Sequence, residues 1–350
     1  MDVETKLELI RSAPFEEAMS EQGLKELLET KSRPVHYIGM EISGMPHIGT
    51  ILVNGKKVND FDKAGIETQI LLADWHTMAN NKLGGDWERI IKVAGFYKRL
   101  FNFVCPNTKV VMGSDLYRHN DDYWRLVVQL ARRTTMARAT RTLVIQGRSV
   151  RDTLHVSQYL YPVMQVADIN ALGVDIPHAG IDQRKVHALA KELFKDMRMN
   201  EIVPVHHHLL PSLAEPPKVD DDADKEEIVA AMKMSKSKPG SSVPILSTEK
   251  EVKTLLGNAW CPAHVEMNPV LELYKYLIFP SIGSVEINRP AQYGGDVVYE
   301  SYRKLEEDFL GKKLHPVDLK NGAAKSLWRL LAPINERFGK EKEELNSLLA

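Results

Sequence analysis

The sequence predicts an α/β fold: a doubly wound parallel sheet followed by a mostly helical C-terminal domain. Three observations carry this. Apolar, β-rich runs alternate with amphipathic helical patterns along the first half of the chain. One run, Thr68–His76 ("TQILLADWH"), is apolar without a polar alternation, as a strand buried on both faces should be. From Thr248 onward the pattern is almost entirely helical. At 350 residues the chain has the length of two domains.

Each element follows in order. Two short helical patterns precede Val35–Gly44 ("VHYIGMEISG"), a β-rich run that ends in turn residues. A helix then begins near Pro46, since proline suits the first helical position. Thr68–His76 is the second strand, "DWERIIKVAGFYKRLFNFV" an amphipathic helix and "KVVMGSDL" the third strand. This alternation is Rossmann-type. An arginine-rich helical stretch from Asn120 to about Ile145 interrupts it and reads as an insertion, spanning about 117–155. A helix around "YPVMQVADINALG", a strand "VDIPHAG", a helix from "DQRKVHALAKELF" and a strand "VPVHHHLL" complete the alternation. "EPPKVDDDADKEE" has the composition of a surface loop. The division expected is a Rossmann-type domain over 1–244, with a loop at 232–242, and a helical domain over 245–350.

Composition narrows the class. Lys plus Arg number 46 and Asp plus Glu 47, so the net charge is −1. That neither demands nor excludes a nucleic-acid partner, because a basic patch can sit within a neutral total. Cys105 and Cys261 are the two cysteines. They form neither a metal spacing nor a disulfide framework, which points to a reducing, cytoplasmic setting. No stretch reaches the roughly 18 apolar residues of a membrane span, and the charged N-terminus lacks a signal peptide's apolar core. His206–His208 invite a metal reading, but neighbouring strand residues face opposite ways, so three in a row cannot hold one ion. No metal site is expected.

Two constellations carry chemistry. In "SGMPHIGT", Ser43–Thr50, a strand feeds a glycine turn and then a helix start. Free N–H groups and the helix dipole make such an end a site for phosphate. Gly44 and Gly49 allow close approach, and His47 can hydrogen-bond a phosphate oxygen. From these residues alone a plain strand-to-helix turn with a surface histidine is the stronger reading. In "LYPVMQVADINALG", Tyr161, Gln165 and Asp168 are spaced i, i+4, i+7 and fall on one helical stripe among apolar neighbours. The stripe is either a solvent face or a buried binding face. Pro162 favours a first turn, which would put Tyr161 at the cap.

A third stretch, "MKMSKSKPGSS" at Met232–Ser242, contains "KMSKS" and has almost nothing a core could use. A first-strand turn of the "PHIGT" kind with a later "KMSKS" loop resembles the paired signature of class I aminoacyl-tRNA synthetases. Thr50 stands where that signature has its second histidine. Tyr37, Tyr161, Gln165, Asp168 and Gln183 match the amino-acid pocket of archaeal and eukaryotic type tyrosyl-tRNA synthetases. "LLADWH", "YPVMQVADI", "HAGIDQRKVHALA", "VHHHLL", "KMSKSKP", "RPAQYGGDV" and "LHPVDLKN" are similar to that family in its order, across nearly the whole chain.

The resemblance implies a two-step reaction. L-tyrosine and ATP form tyrosyl-adenylate and pyrophosphate, and the tyrosyl group then passes to the 3'-terminal ribose of tRNA(Tyr). His47, Thr50, Lys233 and Lys236 are implied as catalytic groups. Gly39, Glu41, His47, Gly49, Thr50, Lys233, Met234, Ser235, Lys236 and Ser237 are implied around ATP, with Mg2+ on the phosphates. Arg184, Lys185, Tyr293, His315 and Asp318 are implied contacts to tRNA, and the insertion is implied to carry a homodimer interface. Tyrosine also fits the chemistry. Asp168 can accept from a phenol hydroxyl and Tyr37 can donate to it. Such a site rejects phenylalanine, which would leave the carboxylate unpaired; tyrosyl synthetases are the standing illustration of that rule. The rivals are a tryptophanyl-tRNA synthetase and an inactive tRNA-binding paralogue. A NAD-dependent dehydrogenase is weaker, since no G-x-G-x-x-G follows the first strand.

Overall fold

The computed structural model describes residues 1–148, 152–216, 232–234 and 240–349. They fall into two compact units. One holds Met1–Gly44 and Lys57–His208; the other holds Met45–Lys56 with the described residues from Leu209 on.

The first unit is built on a six-stranded sheet. In chain order its elements are α1 (Val3–Arg11), β1 (Phe15–Ala18), α2 (Glu21–Thr30), β2 (Val35–Met40), α3 (Asn54–Lys63), β3 (Glu67–Leu72), α4 (Asp74–Ala79), α5 (Trp87–Val104) and β4 (Lys109–Met112). Then come α6 (Gly113–Tyr117), α7 (Asp121–Arg133), α8 (Met136–Arg141), α9 (Val156–Ala171), β5 (Ile176–Gly180), α10 (Arg184–Asp196) and β6 (Val205–His207). The strand order is β1-β6-β5-β2-β3-β4. Every pair is parallel except β1 with β6. The expected doubly wound parallel sheet is present, with an antiparallel edge strand added.

The local reasons are plain in the side chains. β5 is buried at every position, as is β3 after Glu67, so neither alternates. α5 and α10 present one apolar stripe each, Ile90, Val93, Tyr97 and Leu100 in the first and Val186, Leu189, Leu193 and Phe194 in the second. Side-chain caps from Asp2, Ser20, Asp86 and Asn120 start α1, α2, α5 and α7; such a cap stabilises by about 1 kcal/mol. β2 lies between β5 and β3, and the chain passes from β4 to β5 on the other side of it. That is the sheet's switch point, where crevices form outside the carboxyl ends of strands.

Three local expectations shift. The helix expected from Pro46 starts at Ile48, and its first turn, Gly49–Val53, is a wide five-residue turn. The insertion is two helices, α7 and α8, and a tight turn at Leu143–Gln146. β1 adds a strand where the sequence shows none.

The second unit is mostly helical in its described residues, with helices at Glu249–Gly257, Tyr302–Leu310, Pro316–Phe338 and Lys342–Leu349 and one hairpin, β7 (Val285–Ile287) with β8 (Val297–Tyr299). The long Pro316–Phe338 helix buries Leu319, Ala323, Leu327 and Leu331. Gly322 is required there, since a Cβ would stand 2.7 Å from the Tyr274 hydroxyl. Among the described residues no helix is long and apolar enough to cross a membrane.

Candidate active site

The polar stripe of α9 is buried. Tyr161 is 7% and Asp168 1% exposed, and Gln165 is half-buried. The solvent-face reading therefore fails. Pro162 is not in the first turn. The helix begins at Val156, with His155 and Gln158 forming a capping box, so Tyr161 is an interior residue with a fixed direction.

Asp168 ends this stripe. Its Oδ1 accepts from the Tyr123 hydroxyl at 2.9 Å, and its Oδ2 lies 3.5 Å from His76 Nε2. Burial pushes the carboxyl up to about 7, against the hydrogen bond from Tyr123. Burial also pushes His76 down to about 3, so the imidazole is neutral and supplies no countercharge. Tyr37, from β2, is 1% exposed. Its hydroxyl is raised far above the ordinary phenol range by burial and then by Asp168. Tyr37, Tyr117, Tyr123 and Tyr161 share one buried cluster with Leu71 and Met164.

Around Asp168 the buried cluster thus sets a carboxylate, phenols and an imidazole among apolar side chains. Two polar atoms here, Gln165 Oε1 and His76 Nδ1, have no hydrogen-bond partner among the described residues. Buried groups left this way usually await a ligand or an ordered water. An acceptor carboxylate flanked by phenols suits a hydroxyl donor.

The carboxyl ends of β2 and β5 supply the other expected residues of this unit. Gly39 is exposed near the end of β2. Glu41, just beyond, accepts from Asn80 Nδ2 at 2.7 Å. Gln183 follows β5 in a tight turn, and its amide donates to the Ile145 carbonyl at 3.0 Å. Arg184 is paired with Glu17 at 2.8 Å, and Lys185 is half-buried.

The phosphate turn belongs to the second unit. His47 bridges to Pro244, Ile48 N–H donates to the Val243 carbonyl at 3.0 Å and Ile245 N–H to the Pro46 carbonyl at 2.8 Å. Gly49 N–H donates to His47 Nδ1 at 3.1 Å. A Cβ on Gly49 would stand 2.9 Å from His47 Cε1, so glycine keeps this turn tight. Thr50 is half-buried in the wide first turn. Lys233 bridges to Pro211, and Met234 is buried, its N–H donating to the Leu210 carbonyl at 3.0 Å. Ser235, Lys236 and Ser237, with the rest of 235–239, lie outside the described residues.

Farther along the second unit, Tyr293 is 65% exposed, next to Gly294 and Gly295 in left-handed conformations. It is not a core aromatic. His315 is exposed and caps the Pro316–Phe338 helix through Val317 N–H at 3.2 Å; Asp318 sits in that helix's first turn. His206 and His207 point to opposite faces of β6, the first bonding His187 and Glu17, the second His178. Among the described residues no group of three His, Cys, Asp or Glu could hold a metal ion.

Sequence reasoning missed Tyr117, Tyr123 and His76. His76 lies within the quoted "TQILLADWH", and "DDYW" places Tyr123 in the first turn of α7, but neither stretch signals Asp168 as its partner.

The chain matches the family model described as tRNA synthetases class I (W and Y) over residues 29–332. It is 43% identical to a tyrosine–tRNA ligase of Thermococcus sibiricus over 366 aligned positions, 99% of this chain and 97% of the relative. Two solved structures are similar over the whole chain. A Pyrococcus horikoshii tyrosyl-tRNA synthetase complexed with L-tyrosine has TM-score 0.91 at 40% identity, covering 100% of this chain and 99% of that one. An Archaeoglobus fulgidus counterpart, also complexed with L-tyrosine, has TM-score 0.83 at 36% identity, covering 100% of both chains. With a buried carboxylate and a ring of phenols at the switch point, and with these full-length likenesses, the chain belongs to the class I tRNA synthetases of the tryptophan and tyrosine group, as an archaeal-type tyrosyl-tRNA synthetase.

Proposed function

We infer that the chain is a tyrosine–tRNA ligase that activates L-tyrosine with ATP and esterifies it to the 3'-terminal ribose of tRNA(Tyr). The observation that carries the choice of amino acid is Asp168, buried without a cationic partner among the described residues and bonded to Tyr123. An indole offers one donor and no acceptor, so it would use only half of a pair made by Tyr37 and Asp168. A phenol hydroxyl donates to Asp168 and accepts from Tyr37.

The residues take these roles. Gln165, Gln183 and Tyr161 hold the α-amino end, which leaves the carboxylate to attack the α-phosphorus of ATP. The bond to pyrophosphate breaks as the carboxylate–phosphorus bond forms. No protein nucleophile is needed; placement and charge stabilisation suffice. His47, Thr50 and the N–H groups of the turn at Gly49 bind phosphate oxygens. Lys233 and Lys236 neutralise the migrating phosphates, with Ser235 and Ser237 as donors. Gly39, Glu41 and Met234 border ATP. Mg2+ arrives on the nucleotide's own phosphates and water.

In the same reading, residues 1–244 are catalytic and 245–350 bind the anticodon, Tyr293 stacking on a base while His315 and Asp318 hydrogen-bond one. Arg184 and Lys185 approach the acceptor end. The enzyme is a cytoplasmic homodimer joined through the insertion. Charging tRNA(Tyr) with labelled amino acid tests the reading. Tyrosine is expected on the tRNA, and transfer of tryptophan in its place would sink it. In pre-steady-state kinetics, Lys236→Ala is expected to slow adenylate formation much more than it weakens tyrosine binding.

A further inference from the structure

Pro162 lies seven residues into α9 and has no N–H. The carbonyl four residues earlier, that of Gln158, therefore loses the helical donor it would otherwise have. The structure fills the gap from outside the helix. Gln146 Nε2 donates to the Gln158 carbonyl at 2.7 Å, and both glutamines are buried, 4% and 1% exposed. With the Gln146 amide turned over, two acceptors would face each other, so this orientation is the one that bonds. The neighbouring carbonyl of the same tight turn, Ile145, accepts from Gln183. The turn is fixed in place in its own right: the Gln146 carbonyl accepts from Asn80 Nδ2 at 3.1 Å.

We propose that Gln146 is a positioning residue for the tyrosine pocket, acting as the donor that Pro162 removes from α9. Through the turn Leu143–Gln146, the end of the insertion then sets two amino-acid-binding elements together: α9 beside Tyr161 and Gln165, and the side chain of Gln183. Proline supplies the opening, because an unbroken helix would have no free carbonyl there for the insertion to grip. Gln146 touches no reacting atom. It acts through the groups that hold the α-amino end, and these bind ground and transition states alike. Its loss therefore raises KM for tyrosine and leaves kcat nearly unchanged.

The inference rests on the tyrosine-activating reading, and the test separates the two. Tyrosine-dependent pyrophosphate exchange is measured for the full chain, Gln146→Leu, Pro162→Ala and the double variant. No exchange by the parent chain would defeat the functional reading itself. With an active parent, Gln146→Leu is expected to raise KM for tyrosine on the order of tenfold, with kcat changed less than about twofold, the effect of leaving a buried acceptor unpaired. In Pro162→Ala the new N–H reaches the Gln158 carbonyl. Adding Gln146→Leu to that background is then expected to raise KM less than about threefold, a non-additivity that marks a shared partner. Equal losses in the two backgrounds, or no loss in either, would overturn the proposal. Should Gln146→Leu alone fail to fold, a folded double variant supports the proposal and an unfolded one overturns it.

Discussion

Asp168 is held near neutrality because burial penalises its charge and no cation faces it among the described residues; His76 beside it is neutral. The linkage sign follows. The folded carboxyl titrates at about 7 and the unfolded one at 3.8, so its ionisation favours the unfolded chain, and stability is lost as pH rises through that window. Asp168→Asn cannot ionise and still accepts from Tyr123. It is expected to stabilise the fold at pH 8 by about 1–4 kcal/mol in urea unfolding. A loss of stability would contradict the burial argument. The function should move the other way: Asp168→Ala is expected to cut the preference for tyrosine over phenylalanine at least about a hundredfold, by lowering kcat/KM for tyrosine. An unchanged ratio would remove Asp168 from recognition. The i, i+4, i+7 spacing made Tyr161, Gln165 and Asp168 legible as one stripe. Their burial was not legible, because it depends on Tyr117, Tyr123 and His76, which arrive from α6, α7 and α4 and share no local pattern with α9.

Elements were legible where their pattern is local. β3, α5 and α10 follow from period and length. β1 does not: "FEEA" has no β-branched residue, and it is a strand because β6 offers it an edge to pair with. Pro162 misleads for a related reason, since its cost inside a helix is met by Gln146 from a distant turn. Lys57 shows the same dependence. It is 0% exposed, and its ammonium donates to the Ile10 carbonyl at 2.6 Å and the Ser12 carbonyl at 3.0 Å and lies 3.2 Å from Asp60. It thus ties the carboxyl end of α1 to α3, where the helix dipole favours a cation. Lys57→Met keeps the stem and deletes the charge, leaving those carbonyls and Asp60 without it. Urea unfolding is expected to show a loss of about 3–5 kcal/mol. A change below about 1 kcal/mol would mean that the buried ion pair does not hold α1.

At the scale of the molecule, the first unit contains two buried histidine chains. His36 contacts His178 at 3.1 Å and His178 contacts His207 at 2.8 Å; His187 contacts His206 at 2.9 Å, which reaches Glu17. Burial pushes His36 and His206 down to about 3 and His207 to about 4, with His178 and His187 also well below the usual range. These rings stay neutral in the fold and protonate in the unfolded chain. Their stabilisation is therefore complete above about pH 6.5 and is lost as pH falls, by roughly 1.4 kcal/mol per histidine per pH unit. Asp168 offsets one of them over the same range. A steep fall in melting temperature is expected between pH 6.5 and 5, and a flat profile would contradict the neutral chains. The alternation of strands and helices, and the pairing of "PHIGT" with "KMSKS", made the class and the family legible in the sequence. Which residues group into each compact unit was not, because Met45–Lys56 lie early in the chain yet pack with residues after Leu209. Pyrophosphate exchange into ATP, run on the full chain with each of the twenty amino acids, tests the central claim most directly. Tyrosine alone is predicted to support exchange. Exchange driven by tryptophan, or by none of the twenty while tRNA still binds, would contradict it.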